Sequence, residues 1–205
     1  MAISNGYATL NQVKAAARIG TADTLDDSLL EMAVETASRM IDGVCERRFF
    51  TAGTETRYYV PVSGLVCEID DLAGTAITVQ VSTAADNVFD LTWQTTDYQL
   101  EPLNNQSTGL TFPPSRLRAV GDYVFPWDYV GTRTVKVTGV FGFGTAVPMA
   151  VQQATIIAAL RTYKRLDSPL GIAGFGDMGA VRVTRVDPDV QAMLAPFRRT
   201  PVGIA

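Results

Sequence analysis

The run Gly174-Phe175-Gly176-Asp177-Met178-Gly179-Ala180-Val181 has the G-x-G-x-x-G-x-V spacing of a loop whose backbone closes over nucleotide phosphates. That chemistry needs a strand lysine and magnesium-binding carboxylates downstream, and only 24 residues follow Val181. The dinucleotide variant needs a strand before the glycines and a helix opening within them. Here a helical pattern precedes and an alternating pattern follows. Together with the residues from Ser168 that lead into it, the run therefore reads as a mobile or partner-ordered contact loop, with Gly171, Gly174, Phe175, Gly176, Met178 and Gly179 as its contact residues.

Other chemistry is bounded by one omission: the chain has no histidine. Histidine-based acid–base catalysis, Ser-His-Asp and Cys-His arrangements and most zinc, copper and non-haem iron sites fall away. Glu68, Asp70 and Asp71 could hold a hard divalent cation, but they lack the spacing of a calcium loop and read as a solvated strand end or turn. Asp167, Asp187 and Asp189 read as helix-end residues. Cys45 and Cys67 form no C-x-x-C and are expected to be small buried hydrophobes. Asn105-Gln106-Ser107 fits a glycosylation acceptor, which has no use in a chain showing no secretion signal. No catalytic residue, metal ligand or cofactor is assigned. Arginines are the remaining resource: Arg182 and Arg185 share one face of an alternating stretch, and Arg198 and Arg199 open a basic tail with Pro201 and Ile204. Such a set suits bidentate pairing with an acidic neighbour.

Charge is unevenly divided. The overall −4 splits into −7 over residues 1–160 and +3 over 161–205, and 51–131 alone carries 3 basic against 10 acidic side chains. This is not a general phosphate-binding surface; it suits a partner of opposite charge. Apolar runs fall far short of the roughly 18–20 residues a membrane span needs, so a soluble cytosolic protein is expected.

The elements that must position these residues change period along the chain. Thr9-Leu10-Asn11-Gln12 is a capping box opening a short helix that ends at Gly20. A longer helix follows Thr24, with Asp26, Asp27 and Glu31 early, Arg47 and Arg48 late. Leu30, Ala33 or Val34, Ala37, Met40 or Ile41, and Val44 form its apolar stripe. From about Thr56 come short strands: 58–60, 65–67, 76–81, 88–91, 98–100, 109–112, 123–125 and 134–138. Trp93, Trp127, Phe125, Tyr58 and Tyr59 are expected in the core of this β module, with a sugar-binding face as the other reading. A helix opens at Pro148, whose fixed φ suits the first helical position, with Val151 and Ala154 on its apolar face and Arg161, Lys164 and Arg165 late. Residues 180–186 alternate as one half-exposed strand. Asp187 and Pro188 then cap a last helix with Val190, Met193, Leu194 and Phe197 on one face. The expected fold is α+β: a helical bundle core of about four helices, an inserted small antiparallel β module and an extended C-terminal arm. Its expected divisions are 1–54, 55–140, 141–197 and 198–205.

In this order the chain resembles the head–tail connector (adaptor) proteins of tailed bacteriophages. The resemblance is carried by Thr9-Leu10-x-x-Val13-Lys14 leading to Arg18-Ile19, by Ala37-Ser38-x-x-Ile41-Asp42 to Cys45-x-x-Arg48-Phe49, and by the V-x-V-T-G-x-F-G-x-G-x-x-V-P run from Val135 to Pro148. Tyr98-Gln99-Leu100-Glu101-Pro102-Leu103-Asn104 looks like a family-type strand. The resemblance implies a non-enzymatic virion neck protein, assembled in the host cytoplasm. Copies would form a ring, typically a dodecamer, that docks on the portal and receives the next neck or tail completion protein. Phage DNA would pass through without sequence-specific binding, and no membrane is involved. It also implies work for the basic arm towards the portal, and for the glycine loop as a contact or tunnel element. Other readings are a head-completion stopper or another neck or tail protein, a carbohydrate- or peptide-binding β module on a helical stalk, and a nucleotide-dependent enzyme.

Overall fold

The computed structural model describes residues 2–104, 106–107, 110–129, 131–165 and 187–199. The chain divides into two compact units: Met1–Arg47 with Val147–Ala205, and Arg48–Ala146. Its class is α+β, with helices in one unit and antiparallel sheets in the other.

In the helical unit, α1 (Leu10–Ala17) starts at Thr9, whose hydroxyl accepts from Gln12 N–H while the Gln12 side chain returns to Thr9 N–H. It ends at Arg18 in the left-handed region, two residues before the glycine expected to end it. α2 (Asp27–Cys45) buries Leu30, Ala33, Val34, Ala37, Ser38, Ile41 and Cys45. Full burial of a leucine or isoleucine contributes roughly 1.5–3 kcal/mol. Ser38 is satisfied inside that face, donating to Val34 O and accepting from Tyr7 N–H. α3 (Met149–Lys164) buries Val151, Ala154, Thr155 and Ala159; Pro148 is its N-cap, one position before the expected site. α4 (Pro188–Leu194) begins at Asp187, whose carboxylate accepts from Asp189 and Val190 N–H, and runs into a 3₁₀ turn, Ala195–Phe197. Val13, Leu30, Ala33, Val34, Ala37 and Ala159 join in one core with Leu10, Ile156 and Tyr163 against it.

The β unit holds β1 (Thr54–Tyr59), β2 (Val66–Glu68), β3 (Thr78–Val81), β4 (Leu91–Trp93), β5 (Tyr98–Glu101), β6 (Gln106–Ser107), β7 (Leu110–Thr111), β8 (Arg116–Ala119) and β9 (Val135–Val140). They pair antiparallel as β1-β9-β3-β4, β2-β8-β5 and β6-β7. β9 is central because it alternates cleanly, with Val135, Val137 and Gly139 buried. Gly139 admits Ile77 so closely that a Cβ there would lie 2.7 Å from Ile77 Cγ2. After β9 the chain turns at Gly142, at φ 140°, where a Cβ would meet Phe50 O at 2.4 Å. Only glycine fits that position. The two larger sheets share one core, including Cys67, Val79, Trp93, Leu117, Phe125, Val137 and Phe141.

Several expectations need correction. Residues 123–125 form no strand; Phe125 instead enters the core as an anchor, stacked on Trp93 at 4.5 Å. The strand expected at 88–91 lies at 91–93, because Ala85 and Asn87 take positive φ in a turn that extends the connection. Trp127 and Tyr58 are 54% and 45% exposed, not core, while Trp93 and Phe125 are buried.

Candidate interaction surfaces

Of the residues expected to meet partners, Gly171, Gly174, Phe175, Gly176, Met178, Gly179, Arg182, Arg185, Pro201 and Ile204 lie outside the described residues, as does the strand expected at 180–186. Arg198 and Arg199 are described, and the fold carries them to the C-terminal end of α2. Arg199 N–H donates to Cys45 O at 2.9 Å. Burial pushes the Cys45 thiol up to about 11, and the nearby positive charges of Arg198 and Arg47 act against that rise. The basic residues thus gather beside the last turn of α2, whose carbonyls form the negative end of the helix dipole.

The same turn opens onto a groove of about 220 Å³. Met40, Ile41 and Val44 of α2, Ala158, Arg161, Thr162 and Arg165 of α3, and Val190, Gln191 and Leu194 of α4 line it, with Asp187 at its edge. Arg161 reaches Asp187 at 3.6 Å. The sequence stripe offered Met40 or Ile41, and then Val44, to the core. The structure buries Ile41 and Cys45 and leaves Met40 and Val44 57% and 42% exposed. Leu29 and Met32 continue this second face towards the N-terminal half of the helix, with Thr36 in the interval. α2 is therefore apolar over a wider arc than its own core uses. That excess width is the sequence signal for the groove, hidden because Met40 or Ile41 and Val44 fit a single stripe.

A second surface lies on the β unit. Val62, Leu65, Tyr123, Val124, Trp127 and Tyr129 are exposed there. Gly64 sits beneath two of them: a Cβ on it would lie 2.7 Å from Val124 Cγ1 and 3.1 Å from Trp127 Cδ1. The loop that presents Trp127 is pinned. Phe125 N–H donates to Gly64 O at 2.7 Å, Thr134 Oγ1 donates to Pro126 O at 2.6 Å, and the Phe125 ring is buried. Asp122 and Asp128 flank the apolar residues and are exposed.

The carboxylates that could have held a cation are committed elsewhere. Glu68 pairs with Arg116 at 2.7 Å; Asp70 accepts from Arg57 at 2.7 Å and from the Tyr59 hydroxyl at 3.0 Å; Asp71 is buried. Among the described residues no three carboxylate or cysteine side chains gather as a metal site. Arg57 also binds Glu55, which pairs with Arg48, and Arg118 holds Glu101 at 2.6 Å. Arg48 and Arg57 hold the Glu55 carboxyl below its ordinary value; burial pushes Glu101 up, but Arg118 and Gln99 outweigh it and the net shift is downward. Among the described residues no helix is long and apolar enough to cross a membrane.

No family model matches the chain, and no curated protein does. Solved structures do. A chain in the neck of an empty gene transfer agent (GTA) particle, computed with C6 symmetry, matches at TM-score 0.60 and 17% identity, covering 100% of this chain and 96% of that one. A chain in the neck of the native particle, computed with C12 symmetry, matches at 0.60 and 15%, and one in the native GTA virion at 0.61 and 16%, with the same coverage. The whole of this chain therefore has the fold of a chain in the neck of a phage-like particle, the region of the virion to which the sequence resemblance pointed.

Proposed function

We propose that the protein is a structural head–tail connector of a phage-like particle. In this reading copies form a ring of about twelve in the virion neck, dock on the portal, and link the DNA-filled head to the next neck or tail protein. The observation that carries the reading is the end-to-end similarity to chains in necks of C6 and C12 symmetry. The role is architectural rather than enzymatic: the sequence has no histidine, and the described carboxylates at 55, 68, 70 and 101 serve ion pairs. A net charge of −4 suits a ring that lets a duplex pass without gripping its phosphates.

Mixing the purified protein with portal rings and separating the products by sedimentation tests this directly. Co-migration at micromolar concentration, with a second ring visible by electron microscopy, is the expected result; its absence counts against the connector role. Deleting 198–205 should weaken portal binding while the fold survives, since the backbone hydrogen bonds lost include Arg198 N–H to Ala195 O and Arg199 N–H to Cys45 O, at about 1 kcal/mol each. Unchanged portal binding by that truncation would remove the arm from the docking surface.

A further inference from the structure

A cyclic ring of more than two copies cannot be closed by one self-complementary patch; each subunit must carry two different surfaces that fit each other. This chain presents two candidates of opposite character. The groove is lined by Met40, Val44 and Leu194 with Arg161 and Arg165 of α3; Lys164 shares the last turn of α3, and Arg47 and Arg198 lie near Cys45, the residue after Val44. Among the described residues the acids of the same region are Asp42, Glu46, Asp187 and Asp189, fewer than the five cations, so the described rim is net basic. The Trp127 surface is apolar with an acidic border, Asp122 and Asp128, on a unit whose sequence over 51–131 carries 3 basic against 10 acidic residues.

We infer that the groove between α2, α3 and α4 is the socket for the Trp127 loop of a second copy of this chain. The inference rests on the ring reading above. Size favours it over a small ligand, because about 220 Å³ is below the roughly 300–1,000 Å³ of small-molecule pockets and accepts one large side chain. Tryptophan is the residue type most enriched at the energetic centres of interfaces, and here it is presented on a loop already fixed by Phe125 and Pro126, so little order is lost on docking. Like surfaces repel: loop against loop sets Asp122 and Asp128 against their own copies, and groove against groove does the same to the arginines. The contact is therefore head to tail, and propagates from copy to copy.

Two measurements test it. A photo-crosslinking phenylalanine analogue replaces Trp127 in one isotopically labelled population, which is mixed with unlabelled chains. Adducts between populations that map to residues 40–44 or 158–165 are expected; adducts within one chain, or mapped elsewhere, overturn the socket. Separately, Trp127→Glu and Val44→Glu should each weaken self-association about thirty-fold or more. Their equimolar mixture should form heterodimers that grow no further, because only one productive contact remains. Trp127→Glu chains that assemble like the parent overturn the inference even if Val44→Glu fails to fold. Closed rings whose adducts lie elsewhere would sink the socket and leave the ring reading intact. Crosslinks at the socket in open, unclosed oligomers would do the reverse.

Discussion

The two units handle charge in opposite ways. In the β unit, arginines are paired with carboxylates: Arg116 on β8 lies across neighbouring strands from Glu68 on β2 and Glu101 on β5, and Arg57 on β1 holds Glu55 of its own strand and Asp70 of the loop after β2 at 2.7 Å each. These side chains are partly exposed, so each pair contributes little on its own. Among the described residues of the helical unit one cation is taken inside. Lys14 is 1% exposed and donates to Thr21 O at 3.3 Å, to Asp23 O, and to Asp27 Oδ1 at 2.7 Å. Two other cations of that unit, Arg161 and Arg165, line the apolar groove. The pairs cancel charge on the sheets themselves, and the surfaces left to meet a partner are apolar with charged borders: Met40 and Val44 in the helical unit, and Trp127 between Asp122 and Asp128 in the β unit.

Each unit holds one of the two cysteines, Cys45 and Cys67, both fully buried. Burial raises the Cys67 thiol to about 12, with Glu68 adding to the rise. Native-state thiol labelling followed by mass spectrometry therefore reports the opening of each unit separately. The largest effect is expected from Gly142→Val, which forces a branched side chain onto φ 140° and against Phe50 O. A loss of about 3 kcal/mol or more in the β unit should speed Cys67 labelling by about a hundredfold and leave Cys45 unchanged. Equal acceleration at both thiols would break the comparison, because it would mean that the units open together.

Next in size is Lys14→Met, which leaves the Thr21 and Asp23 carbonyls and the Asp27 carboxylate without their buried donor. The cost should be about 3 kcal/mol, the low end for a broken buried pair because Asp27 keeps 27% side-chain exposure. It should accelerate Cys45 labelling alone. Acidification gives the smallest effect. Glu55 and Glu101 have depressed folded-state values, so their contribution is present above the ordinary value of 4.5 and is lost as pH falls through the folded value. Protection of the β9 amides, taken relative to their intrinsic exchange rate at each pH, should fall between about pH 5 and pH 3, by no more than about 1 kcal/mol per pair. Glu55→Gln should flatten that dependence; an unchanged slope would show that Arg48 and Arg57 hold a carboxylate of no energetic consequence.

What could be read from the residues depended on whether a local rule and the tertiary fold agreed. Thr9 with Gln12, and Asp187 before Pro188, cap their helices as the spacing requires, because capping is decided within one turn. β9 was legible from its alternation. β8 was not, although it is the middle strand of its sheet. Arg116-Leu117-Arg118-Ala119 follows two prolines and looks like solvated loop until Glu68 and Glu101 are known to flank it. Trp127 and Tyr58 looked like core because aromatics usually are. Their exposure follows from the loop path around Phe125 and from cross-strand geometry, neither of which is local. The groove is illegible for a similar reason, since a stripe on α2 says how much is apolar and not how many neighbours there are to cover it.

The turn at Gly142 has one more consequence. Phe143 N–H donates to Arg48 O at 2.9 Å, and β1 and β9 run side by side from Thr54 opposite Val140, so the chain enters and leaves the β unit at a single point. A segment whose two ends already meet can be lengthened, exchanged or cut out in evolution without rethreading the helices that flank it. Residues 48–146 are therefore a cassette. Joining 47 to 147 through a short glycine-serine bridge should yield a miniature that keeps the helical core and loses the Trp127 loop.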